Sequence, residues 1–92
     1  MSPETAETIA LQALTWMVGN DEVMPLFLGS TGTSEGEIKD RATDHGFQAS
    51  VLEFLTMDDD WVVAFCDSVN LAYDDPLKAR YALPGSEQVH WT

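Results

Sequence analysis

Six candidate helix starts divide this 92-residue chain, and neighbours among them lie at most 19 residues apart. They are Ser2, Asp21, Ser34, Asp44, Asp58 and Asp75. Each has a short side chain whose oxygen can accept from the free amides of a helix's first turn. A chain interrupted this often can build only short helices.

The segments between the caps agree. Ser2 precedes Pro3, the cap-then-proline order of a helix start, and Ile9, Ala10, Ala13, Leu14 and Met17 follow at helical spacing up to Gly19. Asp21 is expected to cap a second helix through Leu28, with Pro25 in its first turn and Gly29 as its stop. Ser34 and Glu37 fit a capping box that opens a third helix to about Ala42. Asp44 leads into Phe47, Val51, Phe54 and Leu55 on one face. Asp58 leads into Trp61, Val62, Phe65, Cys66 and Val69. Asp75-Pro76 repeats the cap-then-proline order and starts a sixth helix that carries Leu77 and Tyr81 to Pro84-Gly85. "WVVAF" (Trp61 to Phe65) could be a strand by composition, but the aspartates before it and the helical period after it favour a helix. The predicted fold is all-α, a compact irregular bundle of five or six short helices. Residues 1–85 form a single domain, and 86–92 form a flexible C-terminal tail. Apolar residues are 45% of the chain, enough for one core at this length.

Charge narrows the partners. Sixteen acids against four bases give a formal net charge of −12. Phosphate backbones and anionic membranes are held through lysine and arginine, so neither nucleic acid nor membrane is an expected partner. A protein with a basic surface suits this chain better. One cysteine, Cys66, excludes an internal disulfide and a cysteine-rich zinc site. "MSPETAETIA" has no basic, apolar leader pattern, and no apolar run reaches membrane-spanning length, so the expected location is the cytoplasm.

Four stretches carry a resemblance: "ALQALTW" (Ala10 to Trp16), "LFLGSTG" (Leu26 to Gly32), "FQASVLEFLTMDD" (Phe47 to Asp59) and "ARYALPG" (Ala79 to Gly85). Together they resemble an uncharacterised alphaproteobacterial family, the domain of unknown function family 3572, over residues 8–85. The family pattern has Asp-Pro where this chain has Asp44-His45, and a shorter turn than "AYDDP" (Ala72 to Pro76). The resemblance implies an all-helical fold and no activity.

The residues that could carry chemistry have plainer readings. Asp58, Asp59 and Asp60 are consecutive, so on a helix they point about 100° apart and do not converge on one ion. One of them caps, and the others favour the positive helix end. Cys66 lies mid-helix on an apolar face, unlike an activated thiol, and His45 and His90 are too far apart in the chain to suggest a zinc site. "CDSVN" (Cys66 to Asn70) is similar to the serine site of acyl carrier proteins, but Ser68 falls late in its helix, with 24 residues after it. "STGTSEGEIKDRA" (Ser30 to Ala42) has the cadence of a helix-turn-helix, with Lys39 and Arg41 set against Glu35, Glu37 and Asp40. Trp16 and Trp61 sit on apolar stripes and belong to the core, whereas Trp91 lies in a polar tail and is the candidate partner contact. No catalytic, cofactor-binding or metal-binding residue is assigned, and no cofactor is expected.

By elimination, the expected function is a non-enzymatic protein–protein interaction module. The alternative is a small enzyme or ligand-binding protein whose site only the fold assembles. A weaker alternative is an acidic mimic of DNA. Oligomeric state is left open by the sequence.

Overall fold

Ser2 opens the first helix as the sequence predicts. Its backbone is extended and its hydroxyl accepts from the Thr5 amide, with Pro3 as the first helical residue. A computed structural model describes residues 1–84, and among these residues there are six helices and no strand. They are α1 (Pro3–Val18), α2 (Val23–Thr31), α3 (Glu35–Arg41), α4 (His45–Leu55), α5 (Asp59–Val69) and α6 (Asp75–Ala82). The radius of gyration, 12.2 Å, is close to the ~12 Å of a compact chain of this length. No helix among the described residues is long and apolar enough to cross a membrane. The all-α bundle is therefore as expected, while the tail over residues 86–92 lies outside the described residues.

The central helix is α1, which packs most extensively on α6 and then on α4. Ala6, Ala10 and Ala13 on α1 and Ala79 on α6 are all buried. Side chains this small let the two backbones approach closely. An aromatic chain ties the other side of the core. The ring of Phe27 (α2) meets those of Phe47 and Phe54 (α4) edge-on, at centroid distances of 5.8 and 5.4 Å. Phe54 in turn stacks on Trp61 of α5 at 5.1 Å.

Three starts or stops differ from the sequence reading. Asp21 does not cap α2. The Asn20 carboxamide oxygen does, accepting from the Glu22 and Val23 amides at 3.0 and 3.2 Å. Asn20 stands two and three residues before these amides, the spacing at which a short side-chain oxygen accepts from a helix start. Gly29 does not stop α2. The helix continues to Thr31, and Gly32 ends it in the left-handed region, at φ 69°, with its amide on the Leu28 carbonyl. A glycine inside a helix costs only about 1 kcal/mol, and packing of Phe27 and Met24 outweighs that. Asp75 is the first residue of α6 and not its cap. Its carboxylate turns back to accept from the Ala72 amide at 3.0 Å. Packed on α1, α6 buries Pro76 and Ala79, and Leu83 just beyond it, while Leu77 and Tyr81 face outward.

The remaining caps are as expected. The Asp44 carboxylate accepts from the Phe47 amide at 2.8 Å. The Glu37 carboxylate accepts from the Ser34 amide and hydroxyl at 3.2 and 2.9 Å, and these donors hold its pKa below the ordinary value. The Asp58 carboxylate accepts from the Asp60 and Trp61 amides at 2.9 and 3.3 Å.

That geometry makes Asp58 the cap of α5. Replacing Asp58 by alanine is expected to cost about 1 kcal/mol of stability. Asp59→Ala and Asp60→Ala, which remove only interactions with the helix dipole, should each change it by a few tenths, ~0.3 kcal/mol. Thermal melting with chelator and with calcium or magnesium tests this. A metal-dependent rise in the wild type that all three variants abolish equally would replace the capping account with a metal site.

Candidate functional site

The structure disperses the chemically suggestive residues. Cys66 is fully buried on α5, and its thiol donates to the Ala72 carbonyl at 3.4 Å. Its own carbonyl accepts from the Leu71 amide at 3.0 Å, so this residue holds the turn after α5 by both ends. Burial pushes the thiol's pKa up, and the carboxylates of Asp75, Asp67 and Asp74 add to the shift. A thiol so placed stays protonated, the opposite of what a nucleophile needs.

His45 opens α4 and pairs across to Glu7 of α1, Nε2 to Oε1 at 2.6 Å. The pair joins two helices and is partly exposed. Ser68 donates to the Phe65 carbonyl at 2.6 Å, one residue before α5 ends, which is unlike a carrier serine at the open start of a helix. Among the described residues no three acidic, histidine or cysteine side chains converge as metal ligands. Trp16 and Trp61 are half-buried against the core, Trp16 edge-on to Phe65 at 6.2 Å. Trp91 and His90 lie outside the described residues.

Two concavities do bring residues together. The first is an apolar groove of about 440 Å³ between α1 and the end of α5. Thr8, Leu11, Gln12 and Thr15 form one wall, Ser68 and Val69 the other, and Trp16 lies between them. These α1 positions repeat at helical spacing beside the buried stripe of Ala6, Ala10, Ala13 and Met17. Leu11 is 39% exposed at its centre. The lining holds no charged residue. Beyond it lies an acid: Glu4 stands one turn before Thr8 on α1.

The second is a polar cleft of about 290 Å³ where the end of α2 meets α3 and α4. Arg41 enters it from the end of α3. One guanidinium nitrogen, Nη1, donates to the buried Thr33 hydroxyl at 3.0 Å, and the group lies over the Phe47 ring, 5.1 Å from its centroid. Ser30, Ser50 and Glu53 add polar groups, and Phe54 and Met57 add an apolar wall. The sequence reading placed Arg41 on the third helix but missed the cleft, because Ser30, Thr33 and Ser50 come from three separate segments: α2, the turn after it and α4. Leu11 was missed for a different reason: it reads as a stray apolar residue unless the second stripe on α1 is followed separately.

No curated protein and no solved structure matches the chain. The model of a family described as "Protein of unknown function (DUF3572)" matches residues 3–86, and by that match over nearly its whole length the chain belongs to this family.

Proposed function

We propose that this protein is a cytoplasmic, non-enzymatic interaction domain that docks a basic, amphipathic helical segment of another protein in the groove between α1 and α5. The observation that carries the reading is the groove itself, an uncharged apolar trough on a chain of net charge −12, with Glu4 one turn beyond Thr8 on α1. An apolar helix face would cover Leu11, Trp16 and Val69, and a lysine or arginine flanking that face would meet Glu4. Apolar burial supplies affinity, and complementary charge supplies orientation and speed of encounter. The dispersal of Cys66, His45 and Ser68 leaves no assembled nucleophile and base to favour catalysis. A free, buried thiol also fits a reducing compartment.

The test uses a leucine/lysine peptide patterned at helical spacing and a scrambled peptide of the same composition. Amide shifts on titration should cluster at Thr8, Leu11, Trp16 and Val69 for the patterned peptide alone. Leu11→Asp, at a half-exposed position that the fold tolerates, should weaken binding by about tenfold or more. Shifts scattered over the acidic surface, the same for both peptides and indifferent to Leu11→Asp, would mean that charge alone binds and that the groove is not a docking site.

A further inference from the structure

We propose that the polar cleft between α2, α3 and α4 binds a free α-amino acid with an apolar side chain, its carboxylate on Arg41 and its ammonium between Glu53 and the carboxyl end of α2. The starting point is an arginine that influences the Glu37 carboxylate only from a distance. The chain has sixteen acids and four bases, yet Arg41 has no carboxylate within ion-pair distance among the described residues. A partner is at hand. Glu37 lies one turn earlier on α3, the favourable order for a Glu–Arg pair on a helix. Its carboxylate instead turns to the Ser34 amide and hydroxyl. Arg41 is meanwhile held by the buried Thr33 hydroxyl and the face of Phe47. A guanidinium has five N–H donors, and the protein engages one of its nitrogens. A planar, pre-positioned fork with donors to spare suits a carboxylate.

The other side of the cleft has the opposite sign. Glu53 lines it without pairing to Arg41. The carboxyl end of α2 meets the same space through Ser30 and Thr31. The last carbonyls of a helix carry partial negative charge, which favours a cation and opposes an anion. A phosphate or other dianion would therefore meet Arg41 on one side and repulsion on the other. A zwitterion matches both. Size and polarity set the rest of the ligand. The 290 Å³ cleft holds about ten waters' worth of volume at ~30 Å³ each. That accommodates leucine or methionine, whose side chain would lie along Phe54 and Met57.

The experiment titrates the full chain with L-leucine and L-methionine, following amide shifts. N-acetylleucine, which lacks the ammonium, leucinamide, which lacks the carboxylate, and inorganic phosphate are titrated in parallel. Saturable shifts are expected at Thr33, Arg41, Ser50 and Glu53, with a dissociation constant near ~1 mM or below. Removing either charge from the ligand should weaken binding by about tenfold or more, as should Arg41→Gln or Glu53→Gln. Thermal melts of both variants should show the fold retained, since both residues are exposed. No saturable shift for either amino acid up to ~20 mM would overturn the proposal. So would N-acetylleucine or phosphate binding as tightly as leucine with no effect of Glu53→Gln, which would leave a plain anion site.

Discussion

Replacing Phe27 by alanine is expected to lower the unfolding free energy by about 3–5 kcal/mol. A domain of this length has about 5–14 kcal/mol in all, so the variant should lose a large share of its stability. The magnitude follows from position. Phe27 is fully buried, and its ring meets both Phe47 and Phe54 edge-on. Truncation removes the transferred surface, leaves a cavity, and forfeits two aromatic contacts, each worth about 0.5–1.5 kcal/mol beyond area. The cavity cannot close easily, because Phe54 is already stacked on Trp61 and Phe47 lies under Arg41. Leu26→Ala is the control one residue away: Leu26 is 55% exposed, and the change should stay within about 0.5 kcal/mol. Urea denaturation of the three proteins measures both. A loss below ~1.5 kcal/mol for Phe27→Ala would mean that α2 is not anchored through this ring.

The same residues explain what the sequence revealed. Local chemistry was legible: Ser2, Asp44 and Asp58 cap where they stand because their amide partners lie two or three residues on. Apolar period was legible too, and places Ile9, Ala13, Val51, Phe65 and Cys66 in the core. The misses share one cause. Asn20 against Asp21, and Thr31 against Gly29, are decided by how the chain leaves α1 and how far Phe27 packs, which are tertiary facts. Leu77 and Tyr81 face outward because α6 turns Ala79 to α1, which no periodicity within eight residues settles. The family resemblance stands with the match over residues 3–86, and it brings no activity. The cleft at Arg41 was illegible for the reason that most sites are: its residues adjoin only after folding. The groove at Leu11 lay nearer the surface of the sequence, as a second stripe on one helix.

Gln48→Glu is expected to cost about 3 kcal/mol at neutral pH, and to cost much less near pH 4. Gln48 is a polar side chain in the core, 4% exposed. Its Nε2 donates to the Ala42 carbonyl at 2.8 Å, tying α4 to the end of α3. Its Oε1 is buried with no hydrogen-bond partner among the described residues. Glutamate keeps the shape and replaces the donor by an acceptor. Once ionised, it would set a carboxylate against the Ala42 carbonyl, with no cation paired to it. Burial and the lost donor both favour the neutral acid, so the folded-state pKa must rise above the unfolded ~4.3. The sign follows from that inequality. A raised folded pKa gives stability that is fully present below about pH 4 and is lost as pH climbs toward the folded pKa. The loss at pH 7 is about 3.3 kcal/mol if that pKa reaches 7, and it cannot exceed about 2.7 units, or ~3.7 kcal/mol, however high the pKa goes. Below pH 4 the protonated acid can donate to Ala42 as the amide did. Urea denaturation of wild type and variant from about pH 4 to pH 7 isolates the term, because acid effects on the other carboxylates are common to both proteins. Gln48→Met should show a gap from wild type that does not change with pH, since it introduces no titrating group. A Gln48→Glu gap below ~1 kcal/mol at every pH would mean that water reaches this position and that the core opens there.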